Sequence, residues 1–197
     1  NIDTEVKSLN LGATVSTYNN SNLNLSKAIA PNLAVTTETD IKKIMLNVGG
    51  LVDPNNDKLV LGNLTQTLSG TNNSGSVTVG GVAYNWSYVL STTHNFSFTK
   101  TDNTEFLTTE ISAIETGLSL QTASTNAGLR TFSFSHQDTI GNTSATSTLN
   151  MTVDTVLPAV TLNGVNANYN TTTTTITSAS TAISLDNDAS AASVSEA

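Results

Sequence analysis

The chain has 197 residues, of which 37% are apolar and only 11% are charged. Asp and Glu outnumber Lys and Arg by 15 to 7, so the net charge is −8 and no basic patch is present to bind nucleic acid. Cysteine is absent, which argues against a secreted protein of eukaryotic type, in which disulfides are expected. No apolar stretch has the length of a membrane span, and no signal peptide is recognisable. The composition predicts one sizeable core under an acidic surface that suits an extracellular setting and divalent cations.

Short runs in which polar and apolar residues alternate predict a series of β-strands. The first forty residues contain such runs, broken by polar turns. A stronger run spans 41–48, where Ile44, Leu46 and Val48 share one face, and two glycines end it. Further strands are predicted at 58–64, 75–79, 82–90, around Phe96 and Phe98, at 129–135 and at 147–153.

The strand predicted at 82–90 carries Tyr84, Trp86 and Tyr88 at alternate positions. These rings would form a platform for sugar stacking if they faced solvent. The only Trp of a sandwich is commonly buried, so the pattern favours a place in the core.

One segment has helical periodicity. Asp102 and Glu105 have the spacing of a capping box, and Gly117 stands where a helix would end. The apolar residues that fall on one helical face are Phe106, Leu107, Ile111, Ile114 and Leu118. Many short strands and one helix of about three turns predict an all-β sandwich with a short helical insertion.

The beginning of the chain recurs near its end. Asp3-Thr4 is followed by Tyr18-Asn19, and Asp154-Thr155 is followed by Tyr169-Asn170, at one offset of 151 positions (154 minus 3). A repeat of this length has the size of a whole domain. Residues 1–155 are therefore predicted to form one complete module, and 156–197 the incomplete beginning of the next.

The module ends in a recognisable pattern. Arg130 opens the run Arg-Thr-Phe-Ser-Phe-Ser-His-Gln-Asp-Thr-Ile-Gly-Asn-Thr-Ser, and the closing strand ends in Val153-Asp154-Thr155, shortly before Pro158. This pattern resembles the last two strands of the Ig-like and cadherin-like repeats that extend RTX- and Bap-type bacterial adhesins. The resemblance covers roughly 41–162, with its core at 41–155. It implies an antiparallel β-sandwich, a place on the bacterial cell surface, and calcium at the joints between modules.

Calcium binds six to eight oxygens, best supplied by carboxylates and amide carbonyls from several loops. Asp138 and Asn142 lie in the loop before the last strand, and Asp154 lies at the joint. Asp186 and Asp188 follow in the next segment, and the corresponding acidic residues at the start of the chain are Asp3, Glu5, Glu38 and Asp40. The alternative is that these side chains serve turns and caps without a metal.

Two other features have ordinary interpretations. The run from Asp53 to Asp57 echoes the start of a calcium loop, but it lacks the Gly and Glu that complete an EF-hand, so a β-turn is predicted. His94 flanks a turn, and His136 is expected to face solvent from a strand beside Asp138. Neither histidine belongs to a metal-spacing or triad motif, and no enzyme is predicted.

The predicted function is that of an extender in a bacterial adhesin, with neighbouring repeats of the same chain as its partners. The first alternative is a protomer of a surface layer or filament, in which copies of the chain join through calcium or by strand addition of 156–197. The second alternative is a module that binds glycans or peptides. Nucleic acid and membrane spans are not expected.

Overall fold

The structure is a computed structural model that describes residues 16–19, 26–35 and 40–154, together with the backbone of four short strands within 160–185. The chain divides into two compact units, Asn1–Thr155 and Val156–Ala197. Within the described residues no helix is long and apolar enough to cross a membrane.

Strands dominate the first unit, and one helix interrupts them. In chain order the elements are β1 (Ser16–Asn19), β2 (Lys27–Ala28), β3 (Ile41–Gly49), β4 (Asp57–Leu61), β5 (Leu64–Thr67), β6 (Asn73–Val79), β7 (Val82–Leu90), β8 (His94–Lys100), α1 (Thr108–Gly117), β9 (Ser119–Thr122), β10 (Gly128–Asp138) and β11 (Ser147–Asp154).

These strands form two sheets. The larger has the order β1-β11-β10-β3-β8-β7-β6, and the smaller has the order β2-β9-β4-β5. Neighbouring strands are antiparallel, with the exception of β1, which runs parallel to β11. The predicted all-β sandwich with one short helix is confirmed.

The alternating residues of the predicted strands supply the core. Ile44, Leu46 and Val48 of β3 are buried as a row. The aromatic stripe also points inward, with Tyr84 and Tyr88 at 1% and 0% exposure and Trp86 at 9%. The prediction that this stripe packs in the core is therefore confirmed.

Aromatic pairs fix the orientation of the stripe. Tyr84 stacks on Phe106, with ring centroids 5.7 Å apart, and Tyr88 packs on Phe96 at 4.8 Å. Burial, helped by the nearby charge of Glu110, raises the pKa of the Tyr84 phenol to about 12. Burial also raises the pKa of the Tyr88 phenol, so both tyrosines are uncharged at neutral pH.

The strand predicted at 58–64 is instead a hairpin. The chain turns at Gly62-Asn63, so that β4 and β5 pair from Leu61 opposite Leu64. Gly62 has a φ of 53°, the positive value that the first central residue of a type II′ turn requires. The dipeptide Gly62-Asn63 is therefore the sequence signal for the turn that separates β4 from β5.

The helix exists and ends as predicted at Gly117, but it begins later than the capping-box spacing indicates. Asp102 binds the Thr104 N–H at 3.0 Å in a local turn, and Glu110 accepts the Leu107 N–H at 2.7 Å at the true start of α1. Leu107 is consequently exposed, whereas Ile111 and Ile114 are buried.

The second unit contains two strand pairs. Strand β12 (Val160–Leu162) is antiparallel to β15 (Ile183–Leu185), and β13 (Asn168–Asn170) is antiparallel to β14 (Thr175–Thr177). Both copies of the repeated Tyr-Asn therefore lie on strands, in β1 and β13. That 156–197 begins another module stays a prediction.

Candidate functional sites at the two ends of the sandwich

The inward face of β10 is apolar in the middle and charged at both ends. Its buried residues are Arg130, Phe132, Phe134, His136 and Asp138. A charged group buried in a protein needs a partner to offset its lost hydration. The partners of these end residues define two polar clusters, one at each end of the sandwich.

Asp138 organises the loop between β10 and β11. Its Oδ1 accepts the backbone N–H groups of Ile140 at 3.0 Å and of Asn142 at 2.8 Å, and its Oδ2 accepts the Asn142 side-chain amide at 2.9 Å. Burial alone would raise the pKa of the Asp138 carboxyl, but these hydrogen bonds outweigh it and hold that pKa below its ordinary value. The carboxylate is therefore ionised at neutral pH and holds the loop closed.

Asp40 lies at the same end of the sheet. Ile41, the next residue, pairs with Asp138 across β3 and β10, where a bulge shifts the register. Asp40 is exposed and has a φ of 65°, a left-handed conformation that Asp tolerates better than most residues. Asp40, Asp138 and Asn142 thus gather at one end of the sandwich.

Asp154 lies at the opposite end. It ends β11, and its neighbour Val153 pairs with Gly128 at the start of β10. Asp138 ends the same β10 strand, which at 3.3 Å or so per residue places the two carboxylates roughly 35 Å apart. Asp154 and Asp138 therefore do not contribute to one ion site within this module.

Five of the acidic residues predicted to bind calcium lie outside the described residues: Asp3, Glu5, Glu38, Asp186 and Asp188. No group of three His, Cys, Asp or Glu side chains suited to hold a metal occurs in the part of the chain that the structure describes. The Asp138 loop supplies one carboxylate, already engaged in its own turn, so the described residues do not form a complete calcium shell by themselves.

A buried ion pair joins the two sheets at the Asp154 end. Arg130 of β10 donates from Nε to Asp57 Oδ2 of β4 at 2.8 Å, and both side chains are fully buried. Asp57 thus belongs to the core, while Asn56 N–H binds Asp53 O at 3.0 Å in the predicted turn. Pairing of Asp57 with a residue far along the chain left no signal in the sequence.

A second buried pair joins β10 to the helix at the other end. His136 Nε2 lies 2.7 Å from Glu115 Oε1 of α1, and both residues are fully buried. The prediction of a solvent-facing His136 is therefore wrong. The helix covers this end of the sheet, and sequence alternation alone does not reveal which face it covers.

His94 forms a third polar contact. Its Nδ1 lies 2.8 Å from the Tyr88 hydroxyl, which donates to Leu68 O at 3.0 Å, and the two rings stack. Burial lowers the pKa of His94, an effect that the charge of Asp57 partly opposes. His94 is therefore held as a neutral ring.

A shallow cavity of about 280 Å³ lies on the outer face of the larger sheet. Its lining is mostly small and polar. Across neighbouring strands, the Ser87 hydroxyl lies 2.8 Å from the Ser97 hydroxyl, and the Asn47 amide donates to Asn95 Oδ1 at 2.8 Å. These hydroxyls and amides already satisfy one another, so the cavity presents no converging set of reactive groups.

Comparison of the chain with protein-family models, with curated proteins and with solved structures found no match.

Proposed function

We propose that this chain is a mechanical extender module of a bacterial cell-surface adhesin. The observation that carries the proposal is the parallel pairing of β1 with β11, from Ser16 opposite Met151 to Asn19 opposite Asp154. The first described strand and the last strand of the module run in the same direction. Such a module advances the chain from one end of the sandwich to the other instead of returning it.

The same pairing suits a module under tension. A pull on the two ends of the module drives β1 and β11 in opposite directions along their common axis. Their hydrogen bonds are then loaded together in shear, which resists force better than breaking one bond after another. The pairs Arg130–Asp57 and His136–Glu115 tie β10 to the smaller sheet and to the helix, so the layers hold together.

Calcium at the joints forms part of the proposal. Asp40 and the ionised Asp138 would offer carboxylates at one end of the module, and Asp154 would do so at the other. The remaining ligands are assigned to residues outside the described parts of the chain. Bound calcium would neutralise the acidic joint and restrict its motion.

Thermal unfolding tests the calcium component. We expect a higher melting temperature in calcium than in chelator, and a smaller difference for Asp40→Asn, which keeps an allowed backbone but removes a charge. Asp53→Asn, in a partly buried turn at the opposite end and not among the proposed ligands, is the matched control. An unchanged melting temperature together with no calcium bound in a titration would contradict a calcium joint.

Assembly distinguishes the extender from its first alternative. Sedimentation velocity in calcium and in chelator should show a single monomeric species. Sheets or fibres formed on adding calcium would favour the surface-layer or filament protomer. The glycan-binding alternative loses its aromatic platform, because Tyr84, Trp86 and Tyr88 lie in the core.

A further inference from the structure

The free edge of the larger sheet at β6 has a sequence that would allow two copies of the chain to pair. Strand β6 is the outermost strand on that side, with seven residues and neither a charged residue nor a proline. An exposed strand of this kind normally offers its free N–H and C=O groups to a strand of another chain. The usual protections of an edge, a lysine or a proline, are missing here.

The register shows which groups of β6 face outward. The hairpin to β7 turns at Gly80-Gly81, both with positive φ, and Val79 pairs with Val82. In a two-residue hairpin these flanking residues exchange both hydrogen bonds, and the pattern alternates along the strand. The free edge therefore carries the N–H groups of Ser74, Ser76 and Thr78.

Asparagine side chains occupy two of these three donors. Asn63, from the turn between β4 and β5, accepts the Thr78 N–H at 3.0 Å, and Asn73 accepts the Ser74 N–H at 2.9 Å. Within the described residues, the Ser76 N–H is the outward donor of β6 without an acceptor.

The side-chain amide of Asn73 also connects the β6 edge to the smaller sheet. Asn73 Nδ2 donates to Gln66 Oε1 at 2.8 Å, and Gln66 Nε2 donates to Thr67 O at 2.7 Å on the edge of β5. Gly62 allows this close approach, because a Cβ there would lie 2.6 Å from Thr78 O. The amides of Asn63, Gln66 and Asn73, here called the amide clasp, thus cover the side of the sandwich where β5 and β6 are the edges.

We propose that the amide clasp keeps this chain from pairing through β6 with a second copy of itself. The partner against which it acts is the same strand of another molecule, aligned antiparallel about a two-fold axis, since an uncharged strand does not repel its own copy. This inference stands whether or not the chain is an adhesin extender.

The test opens the clasp and then blocks the edge by other means. Asn63→Ala with Asn73→Ala frees the Thr78 and Ser74 donors, and we expect a dimer with twice the monomer mass in sedimentation at high concentration. Adding Ser76→Pro removes the last outward donor without breaking a bond to β7, and should restore the monomer. Asn150→Ala on β11 with Asn55→Ala, two exposed positions away from this edge, is the matched control and should stay monomeric.

Near-ultraviolet circular dichroism and Trp86 fluorescence establish that each variant is folded, since Trp86 pairs with Gly75 of β6. A folded double variant that remains monomeric at every concentration would overturn the proposal. So would association that Ser76→Pro fails to reverse, or association that accompanies loss of the folded spectrum.

Discussion

At the scale of single residues, the charged ends of β10 are the most consequential feature of the core. Arg130 meets Asp57 through one hydrogen bond, while Arg130 Nη1 and Asp57 Oδ1 have no hydrogen-bond partner among the described residues. A buried pair of this kind does not by itself add much stability. Removal of one partner alone, however, leaves an uncompensated charge inside the sandwich.

We therefore predict that Arg130→Met lowers the free energy of unfolding by about 3–5 kcal/mol. The double variant Arg130→Met with Asp57→Leu should recover most of that loss, because no charge then remains buried. Urea unfolding measures both effects, with Lys58→Met, a partly exposed neighbour of Asp57, as a control within about 0.5 kcal/mol of the parent. A double variant as unstable as the single one would show that charge is not the cause.

His94 gives the fold a pH dependence with a definite sign. Its folded pKa is lowered, so the unfolded chain binds the proton more readily, and stability falls as pH decreases below the ordinary histidine value. We predict that the melting temperature drops between pH 7 and pH 5 by more in the parent than in His94→Gln. Equal decreases in melting temperature in the two proteins would contradict the lowered pKa of His94 as the cause. The comparison isolates His94 because His136 is common to both.

Which site residues the sequence could reveal depends on how local their partners are. Asp138 and Asn142 are four positions apart, and the turn they form follows from the Asp-x-x-Gly-Asn pattern. Asp57 and Arg130 are separated by 73 positions, and Glu115 and His136 by 21. Their pairing results from how the helix and the smaller sheet pack on β10, which no local pattern encodes.

At the scale of elements, α1 begins later than the capping-box spacing of Asp102 and Glu105 predicts. Glu105 and Glu110 are both acidic residues near the start of the predicted helix. In the structure Glu110 accepts the Leu107 N–H and pairs with Lys100 at 3.0 Å, whereas Glu105 is exposed. Packing of Phe106 against Tyr84 holds the preceding segment out of the helix.

We predict that Glu110→Ala lowers the free energy of unfolding by about 1–2 kcal/mol, because it removes a helix cap and a partly buried ion pair. Glu105→Ala is the matched substitution and should change it by less than about 0.5 kcal/mol. Thermal or urea unfolding compares the two. The opposite order would mean that the helix begins at Asp102, as the sequence spacing alone suggests.

The strands also show what alternation of polar and apolar residues predicts and what it does not. Alternation predicted the runs of β3, β7, β8, β10 and β11, because each buries one face against the core. The single strand predicted at 58–64 overlooked the β4–β5 turn, where the buried positions shift from Leu59 and Leu61 to Leu64 and Gln66. That shift of phase across Gly62-Asn63, together with the turn chemistry of the dipeptide, separates the two strands.

At the scale of the whole molecule, the sandwich class followed from many short alternating runs with turns between them. The parallel contact of β1 with β11 did not, since strand order depends on pairing between the two ends of the module. The proposed mechanical role rests on that contact, because a pull on the two ends of the module loads the parallel strands in shear. We propose an array from the repeated Asp-Thr and Tyr-Asn, and in such an array the parallel β1 and β11 would give every module the same direction.

Single-molecule force spectroscopy tests the extender most directly. The chain has no cysteine, so one cysteine added at each end provides unique attachment points. We predict one discrete unfolding peak that releases roughly 450 Å of chain, from the strands between β1 and β11. The peak force should fall for Thr17→Pro with Tyr18→Pro, because adjacent strand residues point to opposite sides and one of them must bond β11. Smooth extension without a peak, or a peak whose force the β1 variant leaves unchanged, would contradict the account.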